Sequence, residues 1–77
     1  MPNLTLYYMP MCPFCIKVLN YLKAKGISVT LKDISANPHY EQELVKLGGK
    51  GQVPCLVIDG KALYESNDII QWFERQK

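Results

Sequence analysis

The chain has no apolar run approaching the 18 or more residues of a membrane-spanning helix, and its start, Met1-Pro2-Asn3, lacks the basic segment and long apolar core of a secretory leader. Charge of one sign is missing too. Nine Lys and Arg stand against seven Asp and Glu, a formal +2 that is too weak and too scattered to hold nucleic acid by electrostatics alone. Lys17, Lys23 and Lys25 fall in one stretch, but at helical spacing that stretch reads as a solvated face rather than a polyanion site. Three cysteines are an odd number, too few and too uneven for the disulfide framework of a secreted mini-protein. Zinc is disfavoured as well: beyond Cys12 and Cys15 the chain offers only Cys55 and His39, with no second C-x-x-C to complete four ligands. These absences point to a cytoplasmic protein with no metal, membrane or nucleic-acid partner. At 77 residues it has room for one domain, residues 1–77, and none for a separate substrate domain.

What is present is a clear succession of short elements. Asn3 to Tyr8 alternates, with Leu4, Leu6 and Tyr8 on one face and Thr5 and Tyr7 on the other, as in a strand. Cys12-Pro13 opens a helix that runs to about Lys25, because a proline at the first helical position gives up an N–H that would be unpaired there; Gly26 terminates it. Ile16, Val18, Leu19 and Leu22 are expected on its apolar side. Ile27 to Ile34 reads as a second strand, with Ile27, Val29 and Leu31 on one side. Asn37-Pro38 starts a second helix whose inward face is Tyr40, Leu44 and Leu47 and which ends at Gly48-Gly49. Cys55 to Ile58 is a short continuous apolar run, Asp59-Gly60 is a strong hairpin signal, and Ala62, Leu63 and Tyr64 form the return strand. Glu65-Ser66-Asn67-Asp68 supplies cap residues and early negative charge for a last helix, buried through Ile69, Ile70 and Phe73 and running almost to Lys77. The order β-α-β-α-β-β-α predicts an α/β fold, a four-stranded mixed sheet with three helices on its two faces. In such sheets ligands gather at the carboxyl ends of parallel strands, where Cys12 emerges.

Cys12 and Cys15 stand at i and i+3 in the first turn of a helix, on one face and within reach of a reversible disulfide. Cys12, at the N-cap, meets unpaired N–H groups and the positive end of the helix dipole, so it is the expected thiolate. It would attack a disulfide sulfur to form a mixed disulfide, and Cys15 would resolve it. Cys55 is expected to be a small buried core residue, and Tyr7, Tyr40 and Trp72 core or partial surface.

A strand, then Cys12-Pro13-Phe14-Cys15, then Val53-Pro54 leading into a hairpin, then a final helix opened by small polar residues: over essentially its whole length the chain resembles a dithiol glutaredoxin, a member of the thioredoxin-like superfold. The resemblance implies reduction of protein disulfides and glutathione mixed disulfides by a cytoplasmic monomer, with glutathione as co-substrate and no tightly bound cofactor. It also implies that Cys12 is the nucleophile and Cys15 the resolving thiol, and that Pro13 and Phe14 shape the active-site turn. Val53 would precede a cis Pro54 and pair its backbone with the cysteinyl part of glutathione, while Gln52, Glu65, Ser66 and Asn67 hold the ligand. The chain also departs from the pattern. Phe14 stands where many glutaredoxins have Tyr, and Met9 where many have a lysine that meets the glycyl carboxylate of glutathione; Lys50 is the candidate to supply that charge from the loop. Tyr64-Glu65-Ser66 resembles the corresponding stretch of glutathione transferase N-terminal domains. Three rival readings stay open: a redoxin reduced by thioredoxin reductase, an iron–sulfur carrier completed by a second subunit, and a non-catalytic transferase fragment.

Overall fold

A computed structural model of the chain describes residues 3–76. Seven elements follow in the expected order: β1 (Leu4–Tyr8), α1 (Pro13–Lys25), β2 (Thr30–Asp33), α2 (Pro38–Gly48), β3 (Cys55–Ile58), β4 (Lys61–Tyr64) and α3 (Ser66–Glu74). They build one mixed sheet in the order β2-β1-β3-β4. β1 and β2 are parallel, Tyr7 opposite Lys32, which the crossover through α1 allows. β3 runs antiparallel to β1, with Tyr7 opposite Cys55, and β4 returns antiparallel to β3.

β1, β3 and β4 divide their side chains between two cores because side-chain direction alternates along a strand. Leu6 and Leu56 meet Val18 and Leu22 of α1 and Ile69 and Phe73 of α3 on one face of the sheet. Tyr7, Cys55 and Val57 meet Leu44 of α2 and Ile34 on the other. The division expected for β1 therefore holds, and the fold is the thioredoxin-like one.

Local chemistry sets the ends of the elements. Asn37 Oδ1 accepts the His39 N–H at 3.0 Å and caps α2, leaving His39 exposed in its first turn. Gly26, at φ 67°, closes α1 through bonds from its N–H to the carbonyls of Leu22 and Lys23. The β3–β4 hairpin turns on Asp59 and Gly60, both with positive φ, which is the backbone that a two-residue turn requires.

Four expectations need correction. Ile16 is exposed and Cys15 lies on the buried side of α1, because the face that docks on the sheet is the i, i+3, i+7 stripe of Cys15, Val18 and Leu22, from which Ile16 is turned away. Leu47 is exposed, since α2 sits on the sheet chiefly through Leu44. The second strand begins only at Thr30: Ile27 and Val29 pack under α1 before the chain joins the ladder, and Leu31, on an edge strand, is exposed. The last helix stops at Glu74, and Lys77 lies outside the described residues.

Candidate functional site

β1 delivers the chain to Met9, and the turn that follows hands it to α1. The Cys12 N–H donates to the Met9 carbonyl at 3.2 Å, and the Cys12 carbonyl takes the Ile16 N–H at 2.9 Å as the first bond of the helix. Cys12 is thus the N-cap, with extended backbone, and Pro13 occupies the first helical position. Cys12 is half-buried, whereas Cys15 has no accessible surface. All three cysteines are thiols.

The two thiols of the turn are electrostatically unequal. Partial burial of Cys12 acts to raise its pKa but is outweighed by the backbone N–H of Cys15, the Cys15 thiol and the backbone N–H of Phe14, which together hold it below the ordinary thiol value. Its sulfur closes no full-geometry cap bond; the N–H groups favour its charged form by pointing toward it across the helix end. Burial pushes the Cys15 thiol up to about 11, opposed by the Met9 N–H, which donates to its sulfur at 3.5 Å, and reinforced by the proximity of Cys12. One thiol is partly accessible with its pKa lowered, and the other is buried with its pKa raised.

Beside this turn lies a cleft of about 630 Å³ lined by Phe14, Gln52, Val53, Pro54, Glu65, Ser66, Asn67 and Asp68. Three segments distant in sequence form it: the first turn of α1, the segment entering β3, and the start of α3. The Val53-Pro54 bond is cis, as the resemblance implies. Gln52 Nε2 donates to Glu65 Oε2 at 3.1 Å and ties the second segment to the third. Ser66 is buried at the first position of α3, and the Ile69 N–H returns to the Glu65 carbonyl at 3.0 Å. Glu65 itself has φ 74° and ψ 121°, a conformation that L side chains rarely adopt. It places the carboxylate and the free N–H groups that open α3 on one wall.

Phe14, Gln52, Val53, Pro54, Glu65, Ser66 and Asn67 therefore share one cleft, and Cys12, Pro13 and Cys15 adjoin it through Phe14. Lys50 does not reach it. Its Nζ lies over the Tyr64 ring, 4.7 Å from the centroid, while the Tyr64 hydroxyl donates to the Lys50 carbonyl at 3.0 Å. Cys55 faces the α2 core, on the opposite side of the sheet from Val18 and Leu22, and burial pushes its thiol up to about 11. Tyr7 and Tyr40 belong to that α2 core, and Trp72 packs edge-on against Phe73 with centroids 5.1 Å apart.

Two contributors escape sequence reading. Asp68 lines the cleft, and Lys17 Nζ donates to Asn67 Oδ1 at 2.6 Å, joining α1 to α3 at its edge. For Asp68 the available signal is its place in the first turn of α3, on the wall that carries Glu65; for Lys17 no signal links it to a residue 50 positions on. No group of three or more His, Cys, Asp or Glu side chains able to hold a metal occurs among the described residues, and no helix there is long and apolar enough to cross a membrane.

This fold, with a thiol of lowered pKa at a helix start beside a cleft, defines a redox protein of the thioredoxin-like class. Residues 6–77 match the family described as glutathione S-transferase, N-terminal domain. Glutaredoxin 3 of Escherichia coli (strain K12) is 29% identical over 69 residues, an alignment covering 90% of this chain and 83% of that protein. An uncharacterised glutaredoxin-like protein of Clostridium pasteurianum is 31% identical over 62 residues, covering 80% and 83%. The crystal structure of glutathione transferase Omega 3C from Trametes versicolor superposes with a TM-score of 0.83 at 35% identity, covering 96% of this chain but 33% of the transferase, so the chain spans a third of that enzyme's length. The chain belongs to the glutathione S-transferase N-terminal domain family and is also similar to glutaredoxins.

Proposed function

We propose that the protein is a single-domain, glutathione-linked thiol–disulfide oxidoreductase of the cytoplasm, working as a monomer through Cys12 and Cys15. The observation that carries this reading is the inequality of the two thiols: Cys12 is accessible and its pKa is lowered, while Cys15 is enclosed and its pKa is raised to about 11. A thiolate is the attacking species in thiol–disulfide exchange. Cys12 attacks one sulfur of R–S–S–R′, the S–S bond breaks, R′ leaves as a thiolate, and a Cys12–S–S–R mixed disulfide remains. Cys15 then loses its proton to the departing R′ thiolate or to solvent and attacks the Cys12 sulfur; the Cys12–S–S–R bond breaks, R leaves as a thiolate that takes a proton from solvent, and the two electrons of the dithiol have passed to the substrate. The raised pKa of Cys15 keeps it from competing for the first attack.

In this reading the cleft binds glutathione. The Val53 backbone, fixed beside Pro54, pairs with the cysteinyl unit, and the α-carboxylate of the γ-glutamyl end meets Ser66 and the N–H groups opening α3. Its ammonium faces Glu65 and Asp68, and Gln52 and Asn67 complete the walls. The resident side chains suffice for the exchange, with glutathione as co-substrate and disulfide-bearing or glutathionylated proteins as partners.

The test is reduction of the oxidised protein from NADPH by two routes in parallel, glutathione with glutathione reductase and thioredoxin reductase alone. The expected outcome is reduction through glutathione, abolished by Cys12→Ser. Reduction by thioredoxin reductase alone would replace this reading with the redoxin one.

A further inference from the structure

Side chains, rather than backbone, hold the segment that carries Gln52 and Val53 into the cleft. α2 ends where the Gly49 N–H returns to the Val45 carbonyl at 2.7 Å, and the sheet resumes at Cys55. Between those points residues 50–54 make no backbone–backbone hydrogen bond among the described residues, and Pro54 has no N–H to give. Two side-chain bonds stand in their place. Gln52 Nε2 donates to Glu65 Oε2 at 3.1 Å between two walls of the cleft, and the Tyr64 hydroxyl donates to the Lys50 carbonyl at 3.0 Å outside it. Both ties therefore run to two consecutive residues at the junction of β4 and α3.

The Tyr64 tie is the better anchored of the two. Tyr64 stands opposite Cys55 in the sheet and packs against the α2 core, so its ring is fixed from below. Its hydroxyl reaches the Lys50 carbonyl because Gly48 has no side chain: a Cβ there would overlap the Tyr64 oxygen and stand 2.8 Å from Cζ. The Lys50 ammonium closes over the same ring, 4.7 Å from its centroid. Glu65, by contrast, is exposed, and its carboxylate is the group that the proposed reading offers to the ligand's ammonium. A ligand that takes this carboxylate competes with Gln52 for it, and the hold on the segment then passes to Tyr64.

We infer that Tyr64 is a positioning residue for the cleft: through the Lys50 carbonyl it presets the backbone of residues 50–53, so that the Val53 edge is in place before a ligand arrives. Less ordering is then left for binding to do, and affinity rises without a new contact to the ligand. Tyr64 is not among the residues that line the cleft, and the effect belongs to recognition rather than to the thiols. The inference rests on the proposed dithiol exchange with glutathione in the cleft, and deepens it by naming a residue on which that recognition depends.

The test compares the reduced protein with Tyr64→Phe, using two symmetrical disulfides: glutathione disulfide, and hydroxyethyl disulfide, which lacks the peptide that the cleft would hold. Each is reduced to two thiols as Cys12 and Cys15 become a disulfide, so the loss of protein thiols after an acid quench gives the second-order rate without a reductase. The substitution keeps the ring, the space over Gly48 and the Lys50 stack, and deletes the hydroxyl alone. The expected result is a rate with glutathione disulfide lowered about two- to tenfold, the fold-change of one hydrogen bond. The rate with hydroxyethyl disulfide and the pH profile of Cys12 alkylation should stay as they are. Backbone amide order parameters from NMR should fall at Gly51, Gln52 and Val53 in the variant and hold through the first turn of α1.

An unchanged rate with glutathione disulfide, or an equal loss with both disulfides, would overturn the inference and leave the dithiol exchange standing. If neither disulfide oxidises the unaltered protein while diamide does, the functional reading fails and the inference falls with it.

Discussion

Cys15 and Cys55 keep their protons in the folded, reduced protein up to about 11, whereas an unfolded thiol releases its proton near about 8.5. Above that value the unfolded chain has lost protons that the folded chain still holds, so the stability tied to these groups is whole below pH about 8.5 and drains as pH rises toward 11. The urea midpoint of the reduced protein should fall across that window. In the oxidised protein the fall should be shallower, because Cys15 no longer titrates. Cys12 works with the opposite sign: its lowered pKa contributes stability above the unfolded thiol value, and this is lost as pH falls through the folded one. At neutral pH alkylation by iodoacetamide should therefore reach Cys12 well before Cys15 or Cys55, as mass spectrometry of the single adduct would show. Glu65 is the other residue with a measurable tension. Its positive φ stores of order 1–3 kcal/mol, which glycine would partly release at the cost of the carboxylate and its bond from Gln52. Glu65→Gly should raise the thermal midpoint while slowing exchange with glutathione disulfide.

At the scale of the element, α2 shows how little room the fold leaves. A Cβ on Gly48 would stand 2.8 Å from Tyr64 Cζ and 2.9 Å from the Ala62 Cβ, so the helix end sits directly on β4. Gly48→Ala should cost about 1–3 kcal/mol, read as a lower urea midpoint, because the Tyr64 ring must shift and give up the bond from its hydroxyl to the Lys50 carbonyl to relieve the overpacked contact. The type and order of every element were legible in the sequence, since each is punctuated by local chemistry: Pro13 and Pro38 at helix starts, Gly26 and Gly49 at helix ends, Asp59-Gly60 at the hairpin. Which residues face inward was less legible where an apolar residue had a competitor. Ile16 and Leu47 carry as much hydrophobic character as the residues that displaced them, and only the docking angle of each helix on the sheet decides. The dithiol turn was readable from Cys12-Pro13-Phe14-Cys15 alone because its chemistry is local. Most of the cleft became readable through family resemblance; Lys17 with Asn67, and Lys50 on Tyr64, depend on how side chains settle after folding and leave no sequence trace.

For the whole molecule, stability is split between two thin cores on either side of one sheet. Leu44 has no accessible surface and is the central contribution of α2 to its side. Leu44→Ala should cost about 2–5 kcal/mol, a large share of what a chain of this size has to lose. A thermal melt should then show a drop well beyond the roughly 4–8 °C that each kcal/mol moves in a domain this small. The opposite core carries α1 and α3, so damage there should reach the dithiol turn as well as the melting point.

The β3–β4 hairpin, described above only as a turn, gives the molecule a handle. β3 runs from Cys55, next to the cleft, to Ile58, so Asp59, Gly60 and the exposed Lys61 stand at the end of the sheet remote from Cys12. A bead, an electrode surface or a fluorescent label coupled at position 61 would leave Cys12 and the cleft beside it facing the bulk solution. Molecules arrayed in that way would share one orientation, and current or signal from a monolayer would report the chemistry of a single, uniformly presented face.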